Sequence, residues 1–313
     1  MKVKIWGSRG SIPTPMTNDA YRMKIRRLLD LYAKSEDKNI DTFLENAPFH
    51  LSNTYGGNTA CVQILDSSTN DIIILDAGSG LRLLGNELAG KGGLNIHIFI
   101  SHFHWDHICG LPFFGPIFNP TNTITFYSTN DSVAENLSRQ QHPAHFPISL
   151  ESTPSEKKYV VINPERPVTV GNTEIRAVDL IHPGGCSAFV VRCGGKKLSY
   201  VTDTEFTEEG IVGKELYYRA CFESSDLMLL DCQYNLVEFF SKFNWGHTAS
   251  NVAVNLALEW RIKQLAMFHF DPMHSDEDLS RMLIEAKSIT NPKYNNRNLK
   301  VIQAVEGSVI NIE

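Results

Sequence analysis

Ser101-His102-Phe103-His104-Trp105-Asp106-His107 is the stretch on which the reading of this chain turns. Three histidines and an aspartate fall within six positions, directly after the apolar run Ile96-His97-Ile98-Phe99-Ile100, which reads as a buried strand. The whole chain has eleven histidines, so this concentration marks a site rather than a polar loop. Imidazole and carboxylate both suit zinc and related divalent ions. His102 and His104 lie two apart and face the same way in an extended stretch, whereas the adjacent Asp106 and His107 can reach a second ion once the chain turns. One cluster supplies too few ligands for two ions, so the remainder must come from other strand ends.

Upstream, Val3-Lys4-Ile5 alternates like a strand and runs into the turn-rich Gly7-Ser8-Arg9-Gly10-Ser11-Ile12-Pro13. Residues 19–47 carry Ile25, Leu28, Leu29 and Tyr32 at helical spacing, which predicts one or two surface helices inserted at about 16–55. Lys24, Arg26 and Arg27 in that insertion read as a solvated helix face. Strands are expected at 59–65, 72–75, 123–127, 159–162, 173–178, 188–192, 197–201, 227–230, 264–268, 299–303 and 308–312, and helices at 80–88, 249–260 and 275–288. Groups of neighbouring strands with helices between them predict two sheets with helices outside, an α/β (α+β) architecture.

The chain has 313 residues and a formal net charge of −6, and no apolar run approaches a membrane span. Mild acidity argues against a broad nucleic-acid face, which needs a basic excess. The start, Met1-Lys2-Val3-Lys4-Ile5-Trp6-Gly7, lacks the apolar core of a secretory signal, so a cytoplasmic location is expected. The six cysteines form no CxxC and read as reduced, partly buried thiols.

His102-x-His104-x-Asp106-His107 matches the HxHxDH signature of the metallo-β-lactamase superfamily, and the resemblance runs along nearly the whole chain. Asp76 in Leu75-Asp76-Ala77-Gly78 is similar to the family's upstream aspartate, which supports the histidine loop. His182, Asp203 and His269 match the third histidine, the bridging carboxylate and the final histidine. The resemblance implies a four-layer αββα sandwich formed by a single domain over 1–313. It implies one ion held by His102, His104 and His182, a second held by Asp106, His107 and His269, and Asp203 between them. Such ions lie about 3.5–4 Å apart, share a hydroxide and neutralise developing oxyanions, which is the chemistry of hydrolysis. Zinc is the first expectation, with manganese or iron as alternatives.

Fold does not choose among the superfamily's reactions. His107 and Asp203 argue against a β-lactamase, which usually lacks that histidine and often carries cysteine at the bridging position. Three stretches look like the phosphodiesterase branch, which includes ribonuclease Z and the accessory phosphodiesterase of phosphonate breakdown. These are Trp6–Pro13, Gly57-Asn58-Thr59-Ala60-Cys61 and Gly246-His247-Thr248-Ala249-Ser250. The third places His247 at a helix start, where free N–H groups bind phosphate and a histidine can protonate a leaving alkoxide. Asp231 falls where the branch places the carboxylate that orients this histidine, although Leu230-Asp231-Cys232-Gln233 departs from ribonuclease Z there. Asp106, His247 and Asp231 are therefore the catalytic candidates. The expected substrate is a small phosphodiester: a nucleotide, a cyclic phosphate or an RNA end. The net charge, and the lack of a long Gly/Pro-rich insertion, argue against tRNA. A metal-dependent thioesterase or lactonase is the alternative, and a metal-bound sensor or scaffold is the rival outside enzymes. The branch is often dimeric, so a homodimer is a further expectation. Trp105 and Trp245 either stack on a base, line a pocket or pack in the core, His274 is a candidate support for His269, and His142 and His145 read as a surface loop.

Overall fold

A computed structural model describes residues 1–66, 69–207, 213–289 and 298–312. The strands are β1 (Lys2–Gly7), β2 (Cys61–Leu65), β3 (Ile72–Leu75), β4 (Asn95–Phe99), β5 (Thr123–Ser128), β6 (Glu156–Val161), β7 (Val168–Val170), β8 (Thr173–Leu180), β9 (Cys186–Cys193), β10 (Lys196–Val201), β11 (Leu227–Asp231), β12 (Gln264–Phe268), β13 (Lys300–Gln303) and β14 (Val309–Asn311). They form two seven-stranded sheets, ordered β14-β1-β2-β3-β4-β5-β6 and β13-β12-β11-β10-β9-β8-β7. The helices are α1 (Asn18–Lys34), α2 (Ile40–Asn46), α3 (Phe49–Ser52), α4 (Gly80–Glu87), α5 (Trp105–Ile108), α6 (Val133–Gln140), α7 (Glu215–Phe222), α8 (Leu236–Ser241), α9 (Ser250–Glu259) and α10 (Asp276–Ser288).

The period of two in each strand builds the layers. In β3, Ile73 and Leu75 enter the core between the sheets, which also holds Phe189, Leu229 and Phe268. Ile74 points the other way, into a core that contains Leu81 and Leu84 of α4 and Leu137 of α6. In β11, Leu227 and Leu229 face the inter-sheet core, whereas Met228 and Leu230 join Phe222 of α7, Val254 of α9 and Leu279 of α10. The result is the expected αββα sandwich.

The insertion at 16–55 contains three helices rather than one or two, and neither α1 nor α2 buries a single residue. The basic face of α1 is partly tied down: Lys24 pairs with Asp276 at 2.5 Å and Arg27 with Glu277 at 2.7 Å, fastening α1 to the start of α10. Strand β6 starts three residues before the expected 159, because Glu156-Lys157-Lys158 lies on the exposed sheet edge where burial imposes no alternation. The short helices α6, α7 and α8 span at most eight residues and give too few turns for a periodic signal. Among the described residues, no helix is long and apolar enough to cross a membrane.

Candidate metal centre

Neighbouring parallel strands β3–β4 and β10–β11–β12 end at one edge of the sandwich, and each end delivers a polar residue. Asp76 follows β3, Ser101-His102 follows β4, Asp203 follows β10, Asp231 closes β11 and His269 follows β12. Asp76, Asp203 and His269 adopt left-handed φ of 60°, 47° and 61°. Such conformations cost non-glycine residues energy and cluster at functional sites.

The donors fall into three groups, of which the third, Asp231, His247 and His269, shares His269 with the second. His102, His104 and His182 converge in the first, with His182 Nε2 3.2 Å from His104 Nδ1. Asp106, His107, Asp203 and His269 form the second, with His107 Nε2 3.3 Å from His269 Nε2. Asp203 spans both: Oδ1 lies 3.8 Å from His102 Nε2 and 3.9 Å from His182 Nε2, while Oδ2 lies 3.0 Å from His107 Nε2 and 3.2 Å from His269 Nε2.

Hydrogen bonds on the outer ring nitrogens set the polarity of this cage. His107 Nδ1–H donates to Asp76 Oδ2 at 2.8 Å, His269 Nδ1–H to Gln233 Oε1 at 3.0 Å and His182 Nδ1–H to the Gly246 carbonyl at 3.0 Å. His102 Nδ1 lies 3.1 Å from Ser101 Oγ, which itself donates to Asp76 Oδ2 at 2.8 Å. With the proton outside, each inner Nε2 presents a lone pair. The buried His102 Nε2 has no hydrogen-bond partner. Lone pairs and carboxylate oxygens at 3.0–3.3 Å repel one another unless a cation lies among them. Burial works against a charged His107, yet Asp203, Asp106 and Asp76 push its pKa well above the ordinary value. Burial, with His107 as neighbour, drives His102 well below its own. The raised His107 marks a site that attracts positive charge and the lowered His102 an imidazole held neutral, so the donors fit divalent cations.

Asp76 anchors the support. It is fully buried and accepts from Ser101 N (2.7 Å), Ser101 Oγ (2.8 Å), His107 Nδ1 (2.8 Å) and Tyr200 Oη (2.7 Å). Carboxylates that orient ligating histidines contribute about 10–100-fold in metal affinity. Asp76→Ala is therefore expected to weaken metal retention by about that factor in chelator competition, with the sheets intact by circular dichroism.

Across the same cleft, of about 410 Å³, His247 faces Asp106, Asp203 and His269. His247 Nδ1–H donates to Asp231 Oδ2 at 2.8 Å, and Asp231 also accepts from Thr204 N and Gln233 N. Burial disfavours its charged ring, but the Asp231 charge and hydrogen bond, helped by Asp203 and Asp106, push its pKa up to about 9.

At the helix start beside His247 one first-turn N–H, that of Ser250, already has a partner. Ala249 caps α9 and is fully buried, and Ser250 N–H is taken by the Tyr234 carbonyl at 2.9 Å. Thr248 Oγ1 donates to the Thr204 carbonyl at 2.5 Å and accepts from Phe206 N, so it is no cap either. His247 is held by Asp231 and by its own loop. Glu205 accepts from Asn244 N at 3.0 Å and Gly246 N at 2.9 Å. Gly246 has φ 86°, and a Cβ there would approach His182 Nδ1 to 2.4 Å.

Trp105 is 83% exposed and lines the cleft, and Trp245 is 61% exposed, which excludes core packing for both. His274 bonds Glu238 at 2.9 Å instead of supporting His269, whose outer nitrogen belongs to Gln233. His142 and His145 lie on an exposed turn. Sequence reasoning missed Ser101, Tyr200, Glu205 and the support given by Gln233; only the position of Gln233, two beyond Asp231, offered a signal.

A family model described as a beta-lactamase superfamily domain matches residues 73–270. Ribonuclease Z of Picrophilus torridus is 24% identical over 283 residues, covering 74% of this chain and 85% of that protein. Among solved structures, the metallo-beta-lactamase fold protein YhfI of Bacillus subtilis aligns with a TM-score of 0.64 at 18% identity, covering 99% of this chain and 98% of that one. The short form of human tRNase Z aligns with a TM-score of 0.61 at 17% identity over 100% of both chains. These structural likenesses bear on the fold.

Proposed function

The chain belongs to the beta-lactamase superfamily domain family and is a metal-dependent hydrolase, and from that premise we propose that its substrate is a phosphodiester. The observation that carries this reading is the His247–Asp231 pair set opposite the donor cage across one cleft. His102, His104 and His182 would hold one divalent ion, Asp106, His107 and His269 the other, and Asp203 both. When bound, such ions supply an acidified water as nucleophile and positive charge for phosphoryl oxygens. A histidine-rich, sulfur-free donor set favours zinc, with manganese or iron as the alternatives.

The chain's own groups do the remaining work. His247 holds a proton on Nε2 while Nδ1–H is engaged by Asp231, and donates the Nε2 proton to the departing alkoxide. Asp231 keeps the ring charged and oriented, and Thr204 N and Gln233 N hold its carboxylate in place. Trp105, exposed at the cleft, offers an apolar face for the leaving group to lie against. The natural substrate is a small phosphodiester, either a nucleotide, a cyclic phosphate or an RNA end. The ribonuclease relatives support the RNA end, whereas the net charge of −6 weighs against a tRNA body.

Hydrolysis of bis-p-nitrophenyl phosphate by zinc- or manganese-reconstituted protein, beside a p-nitrophenyl carboxylic ester, tests the reading. Turnover of the diester supports it. Turnover of the carboxylic ester alone would move the protein to the thioesterase or lactonase class.

A further inference from the structure

Ser11 lies on the loop after β1 and has a left-handed φ of 64° without being glycine. Its N–H donates to Asp106 Oδ2 at 2.7 Å, so the strained residue is pinned to one of the candidate ligands. The adjoining loop is strapped to the sandwich by Gly10 N–H to the Phe270 carbonyl at 2.9 Å and Arg9 N–H to the Asn58 carbonyl at 3.0 Å. A Cβ on Gly10 would meet the His269 ring at 2.5 Å, so this loop lies directly on the cage.

A chain of hydrogen bonds fixes the direction of the Ser11 hydroxyl. His269 Nδ1 lies 3.0 Å from Gln233 Oε1, and an amide oxygen only accepts, so the ring carries a proton on Nδ1. That proton goes to Gln233 Oε1 at 3.0 Å, which orients the amide with Nε2 toward Ser11 Oγ at 3.3 Å. An amide nitrogen only donates, so Ser11 Oγ accepts and its own hydrogen must find another acceptor. Among the described residues it has none. Ser11 is exposed and lines the same cleft as Asp106, Asp203, His247 and His269.

We propose that the Ser11 hydroxyl binds substrate, donating a hydrogen bond to a non-bridging phosphoryl oxygen. This rests on the phosphodiester reading. The cage orients its own substrate donor: His269, which would hold a cation through Nε2, donates from Nδ1 to Gln233, and the Gln233 amide makes Ser11 a donor into the cleft. Hydroxyl donors to anionic oxygens form short, strong hydrogen bonds, which suits a group whose charge rises in the transition state.

Two variants separate the hydroxyl from the backbone. Ser11→Ala removes the hydroxyl and keeps Cβ, whereas Ser11→Gly also relieves the left-handed conformation and leaves the N–H for Asp106. Both metal-loaded variants are expected to lose about 10- to 100-fold in kcat/KM for bis-p-nitrophenyl phosphate. Both should also be inhibited about 10-fold more weakly by inorganic phosphate, with metal content by mass spectrometry equal to wild type. Wild-type kcat/KM in either variant overturns the assignment to Ser11 alone, provided the wild-type protein cleaves the diester. So does a loss of turnover with unchanged phosphate inhibition, which would mean that the hydroxyl acts on the nucleophile. Wild-type protein that neither cleaves the diester nor binds phosphate takes the phosphodiester reading down together with this one.

Discussion

Treatment with a chelator is expected to reduce turnover of bis-p-nitrophenyl phosphate to the enzyme-free rate, and re-addition of zinc or manganese to restore it. Without cations, the inner nitrogens of His102, His107, His182 and His269 and the oxygens of Asp106 and Asp203 crowd one another at 3.0–3.9 Å. A ligand that binds only the folded state at about a thousand times its Kd stabilises by about 4 kcal/mol. At about 2–4 °C per kcal/mol for a chain of this class, stripping one such site should lower Tm by roughly 8–16 °C. Asp203→Ala is expected to behave like chelation, because its Oδ1 faces His102 and His182 while its Oδ2 faces His107 and His269. Full turnover after chelation, in protein shown by mass spectrometry to be free of metal, would remove metal from the account.

His247→Ala is the second large effect. General acids contribute about 10²–10⁴-fold, and that is the expected fall in kcat for a diester with an alkoxide leaving group. Metal content should not change, since His247 bonds Asp231 and the two donor groups that Asp203 faces do not include it. The loss should be smaller for a p-nitrophenyl diester, whose leaving group departs as a stabilised anion and needs no proton. Asp231→Asn should reproduce the pattern more weakly, through a ring that holds its proton less firmly. An equal loss on both substrates would assign His247 to binding or packing, and an unaltered rate would take it out of the mechanism.

Much of this was legible in the chain itself. The unbroken apolar runs Ile72-Ile73-Ile74-Leu75 and Leu227-Met228-Leu229-Leu230 are a local record of two buried faces, one toward each side of a sheet. The spacing of His102, His104, Asp106 and His107 is likewise local, because neighbouring ligands need only one loop. His182, Asp203 and His269 could be picked out because each follows a strand and matches a known motif, not because anything near them in sequence demands a ligand. Where chain neighbours decide the outcome, as in the apolar periods and the ligand loop, the sequence by itself determined the layered sandwich and the chemistry of its edge. Tertiary structure alone decided the polarity of the site. Tyr200 reaches Asp76 across 124 positions and Gln233 reaches Ser11 across 222. At the helix end beside His247 the Ser250 N–H is taken by a carbonyl from Tyr234, and Trp105 stands exposed beside two residues that turn inward. A hydrogen bond acquires its donor and acceptor only when both partners are in place, and a side chain its exposure only when its neighbours have packed. Residue types and spacing carry no trace of either.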